Sequence, residues 1–342
     1  MQHDQHLSQR IASLLKYAGI ELPGGDEAIV LLAEGGSDRR FYRVKTSGGS
    51  VVVMTDPRIQ HETRAYVDVG RFLFANGIGV PEIIACDDDK QLVILEDLGD
   101  DSLYVLAKQA RTREEVLGYY KKVLIFLAEM QIKVTPQIAT CSYLKKRVFG
   151  YEQFRWEADY FLERFIRQFC GMSVEKGGKL EDELHMLAST LDTEPRYFMH
   201  RDFQSQNIYL KEGRVRVIDF QTATQGLLQY DLVSLLKDAY FVLDREERDG
   251  LLQFYIDTLV DTWGMNVDRE SFVKTFHLAG LQRNMQALAA FSFLSMQKGK
   301  TEFVHHIPAG LSHLKEALRM FPEFKDLRDI VEKAAGSPKI QA

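Results

Sequence analysis

The sequence has 342 residues, of which 45% are hydrophobic and 27% charged. That balance belongs to a soluble globular chain long enough for two lobes, and it excludes a largely disordered protein, a collagen-like fibre and a disulfide-stapled miniprotein. Lys and Arg total 43 against 49 Asp and Glu, a formal charge of -6, which argues against a dedicated nucleic-acid binder.

The first 21 residues carry the spacing of an amphipathic helix, with too many polar interruptions for a signal peptide. Residues 28–55 alternate as strands, AIVLLAE, RFYRVKT and VVVMT, separated by glycine-containing turns, and predict an antiparallel meander. Residues 61–76 are helical in pattern and stop at Gly77. Pro81 opens PEIIACD, and QLVILEDLG follows an acidic turn, so two more strands complete a small five-stranded lobe with one helix inserted after the third strand.

From about residue 102 helical patterns dominate, over 113–132, 142–169, 180–190 and 228–335. The exception is 197–221, which reads as a loop and two short strands joined by a Glu212-Gly213 turn. The expected class is α+β: a first lobe over 1–99, a mainly helical lobe over 100–336 and a tail over 337–342, with Gly99 allowing the bend between lobes. Cys86, Cys141 and Cys170 are odd in number and far apart, which fits a reducing compartment. No apolar run reaches the roughly 18 residues of a membrane span, so the expected location is the cytoplasm.

The chemistry is concentrated in His200-Arg201-Asp202, then Asn207, then Asp219-Phe220-Gln221. Phosphoryl transfer needs a carboxylate to orient an acceptor hydroxyl and two oxygen ligands to hold Mg²⁺ on the nucleotide phosphates. Asp202 suits the first task, and Asn207 with Asp219 the second. A strand turn between Asn207 and Asp219 brings the second strand back, so the carboxylate can face the amide oxygen. Each residue alone is a common turn former; their order behind a five-stranded lobe is what carries weight.

With Gly36-Ser37-Asp38-Arg39-Arg40-Phe41-Tyr42-Arg43-Val44, Leu95-Glu96-Asp97-Leu98-Gly99, and the run from Val217-Ile218-Asp219 to Tyr230-Asp231-Leu232, the chain resembles the aminoglycoside phosphotransferase and choline kinase-like family. Within that branch of the protein kinase-like fold it looks closest to bacterial anomeric amino-sugar kinases, which act on N-acetylmuramate and N-acetylglucosamine. The resemblance implies an ATP- and Mg²⁺-dependent kinase with a small-molecule hydroxyl acceptor and no nucleic-acid or membrane partner. Antibiotic, choline-like and other metabolite kinases, and a nucleotide-binding regulator without turnover, are the rival readings.

On the nucleotide side, the Gly35-Gly36-Ser37 turn offers backbone N–H groups to phosphate, and Glu96 to Leu98 correspond to the segment that reads adenine. His200 and Asp231 correspond to the residues that steady the catalytic loop. The family's third-strand lysine is missing, because Val51-Val52-Val53-Met54 has none. Arg43 or Lys45 on the neighbouring strand is the expected substitute, oriented by Glu62, with Arg39 and Arg40 next. For the acceptor, Arg283 and Asn284 on one helix and Trp156 on another are candidates. Asn284 and Gln286 stand where the amino-sugar kinases tend to carry His and Lys.

Overall fold

The computed structural model describes residues 2–21, 29–34, 39–55, 60–87, 91–175 and 177–341. The Gly35-Gly36-Ser37 turn lies outside the described residues, as does the side chain of Glu62. The first lobe comprises α1 (Gln2–Tyr17), β1 (Ile29–Glu34), β2 (Arg40–Thr46), β3 (Gly49–Thr55), α2 (Gln60–Ala75), β4 (Ile83–Cys86) and β5 (Leu92–Glu96). Its five strands form one antiparallel sheet in the order β1-β2-β3-β5-β4.

Strand alternation divides that sheet into two working faces. Val44, Val51, Val53 and Ile94 turn outward and are covered by Ile11, Leu14 and Leu15 of α1, which is where the amphipathic stripe of the first helix goes. Phe41, Arg43, Val52 and Leu95 turn the other way and line a cleft against the second lobe.

The chain leaves β5 through residues 97–101. Ser102 then caps α3 (Leu103–Gln109), its side chain accepting from the Val105 N–H. Helices α4 (Arg113–Val134), α5 (Tyr151–Phe161) and α6 (Lys179–Asp192) follow. The expected helix over 142–169 begins only at Tyr151. Ahead of it Thr135–Thr140 and Leu144–Lys146 are short 3₁₀ turns, and beyond α5 the ladder widens into a π-helical stretch at Leu162–Phe169. Gly150 sets the start: its backbone is extended, its N–H donates to Gln153 Oε1, and a Cβ there would sit 2.9 Å from Asp192 Oδ1.

Next come β6 (Tyr197–Met199), β7 (Ile208–Lys211), β8 (Arg214–Val217) and β9 (Thr224–Gly226). β7 and β8 form the expected hairpin, turning at Glu212 and Gly213, both at positive φ. β6 pairs with β9, three residues each, too short to leave a periodic signal in the sequence. The rest is α7 (Leu228–Leu236), α8 (Arg245–Asp257), α9 (Arg269–Gln297), α10 (Ile307–Leu318), α11 (Lys325–Ala335) and a final turn α12 (Pro338–Gln341). α9 is apolar around its middle turns because α5, α7 and α10 enclose it. Among the described residues no helix is long and apolar enough to cross a membrane.

Gly79 makes the tightest joint between the lobes. Its carbonyl accepts from Val217 N–H at 2.9 Å, and a Cβ at this position would lie 2.2 Å from the Val215 carbonyl oxygen. Gly79→Ala should therefore cost about 2 kcal/mol or more of unfolding free energy. Gly118→Ala, on the exposed side of α4 with nothing within 4 Å, should instead gain roughly 0.5–1 kcal/mol. Urea unfolding of both variants checks the pair of signs.

Candidate active site

The cleft between the sheet and the helical lobe has a volume of about 690 Å³. Its floor is the loop between β6 and β7. Arg201 adopts φ 77° there, a left-handed conformation unfavourable to a side-chain-bearing residue. The strain is held by Asp231 in the first turn of α7, whose carboxylate accepts from His200 N–H at 2.7 Å and Arg201 N–H at 2.9 Å. Burial pushes the Asp231 carboxyl up to about 7 against the pull of those two N–H groups. The His200 ring is fully buried, edge-on to Phe203, and burial lowers its pKa to about 4, so it is neutral at physiological pH.

A second carboxylate pins the far end of the loop. Asp238 Oδ2 accepts from Ser205 N–H at 2.8 Å and from Ser205 Oγ at 2.6 Å. Between these two anchors, Asp202 faces the cleft with Oδ2 accepting from Thr222 Oγ1 at 3.1 Å. Asn207 Nδ2 donates to the Asp202 carbonyl at 2.9 Å, which assigns the amide orientation and leaves the Asn207 side-chain oxygen for the cleft.

Asp219 stands at the end of the β7–β8 hairpin at φ 63°, a second left-handed residue. A third of its side chain is open to the cleft, and Arg39 Nη1 lies 3.5 Å from its Oδ1. Removal from bulk water raises the Asp219 pKa; Arg39 opposes that shift and Asp202 adds to it. Phe220 anchors the turn by stacking on Tyr66 of α2, ring centroids 4.5 Å apart. Gly70 of the same helix makes this possible, because a Cβ there would come within 2.9 Å of the Phe220 ring.

Behind the loop lies a buried carboxylate whose segment the sequence marked without a role for it. Glu157 of α5 is fully buried and accepts from Tyr230 Oη, Gln282 Nε2 and Arg201 Nη2 at 3.1, 3.1 and 3.4 Å. Burial raises its pKa despite those donors. Nothing in the local pattern of an acidic residue on an amphipathic helix separates such a position from a solvated one.

At the opposite end of the cleft, Lys211 Nζ donates to Glu96 Oε1 and to the Asp97 carbonyl, both at 2.8 Å. Arg43 grips Asp97 with Nε and Nη2, at 2.6 and 3.0 Å, and reaches Asp100 at 2.9 Å. Burial pushes the Asp97 carboxyl up, but the bonds from Arg43, Ser50 and Gly99 outweigh it, and its pKa ends below the ordinary value.

The structure thus gathers Asp202, Asn207, Asp219, Glu96, Leu98 and Arg43 around one cleft. Lys45 is exposed near the C-terminal end of β2, paired in register with Ser50. Trp156 is 58% exposed, stacked on Tyr160, and does not line the cleft. Arg283 is buried behind the cleft wall, donating to Ser234 Oγ, Gln286 Oε1 and Gln204 Oε1. Asn284 is turned back on its own helix, donating to the Gly280 carbonyl at 2.7 Å. Gln204, Tyr240, Lys300, Glu302 and Phe303 line the cleft and were not singled out from the sequence.

Residues 29–265 match the model of the phosphotransferase enzyme family, and the chain belongs to that family. A curated relative from Neisseria meningitidis serogroup B, named N-acetylmuramate/N-acetylglucosamine kinase, is 26% identical over 97% of this chain and 98% of its own length. Among solved structures, an amicoumacin kinase in complex with AMP-PNP, Ca²⁺ and Ami superposes with a TM-score of 0.61 at 14% identity, covering 92% of this chain and 96% of that one. The ADP-bound aminoglycoside phosphotransferase APH(2'')-Ib gives 0.58 at 14% identity over 93% and 98%. The fold is the two-lobed protein kinase-like fold, and the chain is a phosphotransferase acting on an alcohol group of a small molecule.

The Asp231 anchor has a pH signature. Its carboxyl binds a proton more tightly folded than unfolded, so the stability this proton contributes is complete below about pH 4 and is lost as pH rises through about 7. Asp231→Asn removes that titration and also sets an amide N–H₂ against one of the two backbone donors. Urea midpoints from pH 5 to 8 should show a lower overall stability for the variant and a flatter decline than for the parent.

Proposed function

We propose that the chain is an ATP- and Mg²⁺-dependent sugar kinase, with the anomeric hydroxyl of N-acetylmuramate or N-acetylglucosamine as its preferred acceptor. The observation that carries this reading is the convergence of Asp202, Asn207 and Asp219 on the wall of one cleft whose other end is the Glu96–Leu98 hinge. The amide orientation of Asn207 and the open carboxylate of Asp219 supply two hard oxygen ligands. Such a set suits Mg²⁺, which keeps waters and phosphate oxygens for its remaining positions. When bound, Mg²⁺ supplies neutralisation of the charge on the transferring phosphoryl group.

The chain's own residues do the positioning. Phe41, Val52, Leu95 and Ile218 form an apolar slot for the adenine, and the backbone of Glu96 to Leu98 reads its edge. Asp202, held by Thr222, orients the acceptor hydroxyl and takes its proton as the bond to phosphorus forms. His200 and Asp231 keep the loop in place without touching substrate, and Arg283 acts on the acceptor wall through Gln204.

The name of the full-length relative supports the amino-sugar acceptor.

An ATP-consumption screen over N-acetylmuramate, N-acetylglucosamine, other hexoses, choline and kanamycin tests the reading, and turnover confined to choline or kanamycin overturns it. Asp202→Asn should lower kcat by at least ~10²-fold while nucleotide binding persists. Asp219→Ala should remove the Mg²⁺-dependent part of nucleotide affinity measured by calorimetry, because too few protein oxygens remain for the metal.

A further inference from the structure

Met54, which stands where the fold normally carries its phosphate-binding lysine, is fully buried in the core and has no cation to offer. Sheet register decides where a substitute can come from. Side chains alternate along β2, so Arg39, Phe41 and Arg43 share the face that lines the cleft. Arg43 pairs with Val52 and Arg40 with Thr55, while Val51 pairs with Glu96 at the hinge. Arg43 therefore stands at the adenine end of the cleft, and Arg39 lies four residues, about 13 Å, farther along toward Asp219.

The two arginines meet carboxylates at different ends of the cleft. Arg43 is committed to Asp97 and Asp100 as part of the hinge. Arg39 enters the cleft from the opposite end of the strand, its side chain only 8% exposed, with Nη1 3.5 Å from Asp219 Oδ1. That separation exceeds the roughly 2.7–2.9 Å of a tight charge-assisted hydrogen bond, so the pair is a loose one across the lobes. A guanidinium in this position presents a planar fork that matches two phosphate oxygens.

We propose that Arg39 is the cation that binds the outer phosphates of the nucleotide, and that its pair with Asp219 is the arrangement it exchanges for phosphate. The inference rests on the nucleotide reading above. In the absence of phosphate the guanidinium offsets the charge of Asp219; with phosphate present it turns to the anion, and the carboxylate is released for its own ligand.

Calorimetric titration of the full chain with Mg·ADP and with adenosine separates the possibilities, with thermal unfolding run alongside. For Arg39→Ala, ADP affinity should fall about tenfold or more, the scale of a lost hydrogen bond to a charged group, while adenosine affinity stays near the parental value. Arg39→Lys, which keeps the charge but not the fork, should fall between the two. Parental ADP affinity in Arg39→Ala overturns the proposal, as does an equal loss for ADP and adenosine, which marks a purely structural role. If the parent binds neither ligand, the nucleotide reading itself fails and Arg39 falls with it.

Discussion

Two consecutive backbone N–H groups, those of His200 and Arg201, converge on the Asp231 carboxylate, and the active-site loop takes its shape from that convergence. Chain geometry alone disfavours a left-handed Arg201, and burial alone disfavours a charged Asp231. Each cost is offset by the other group: the positive φ aims both donors at one point, and the carboxylate gives those donors an acceptor. Asp238 repeats the device at Ser205, so the residues between the anchors have little freedom left. Asp202 projects from this fixed stretch, and Thr222 Oγ1 holds its carboxylate from the side.

The same region concentrates buried acid. Asp231, Asp238, Glu157 and Asp219 all have raised pKa values, burial being the largest cause in each case. Arg201, Arg283 and Arg39 lie among them and limit the repulsion. An ensemble of this kind favours compactness only while every donor stays in place, since removing one partner leaves its acceptor stranded in low dielectric. The helical lobe supplies the constraint: α5, α7 and α9 bring Glu157, Tyr230 and Gln282 together from positions up to 125 residues apart.

Much of this was legible in the sequence, for reasons that also explain the rest. β3 declares itself through the short apolar run Val51-Val52-Val53-Met54, because one face is covered by α1 and the other turns to the cleft and the main core. The Asp202, Asn207 and Asp219 spacing is legible because it is the spacing that the proposed phosphoryl transfer would require. The break after α4 shows in the pattern, but the late start of α5 is hidden, since the 3₁₀ turn at Leu144–Lys146 uses residues equally at home in a helix. Pattern also shows which face a residue occupies but not its partner. Arg43 looked available to phosphate until Asp97, 54 residues away, proved to hold it. Trp156 shares an amphipathic helix with the buried Glu157 and faces the opposite way.

Among the described residues the polar ties between the lobes gather along one side, and Tyr66 of α2 packs on Phe220 beside them. Arg43 to Asp97 and Lys211 to Glu96 tie the sheet to the β7–β8 hairpin through the hinge, and the Gly79 carbonyl adds a backbone bond to Val217. Parting the lobes along that seam would expose paired charges and break a buried amide bond. Swinging about the seam, like a book about its spine, leaves those ties in place and strains the looser Arg39 to Asp219 pair across the mouth. With a nucleotide bound as proposed, the spine would make adenine its fixed end and the phosphate end the one that senses how far the covers are open.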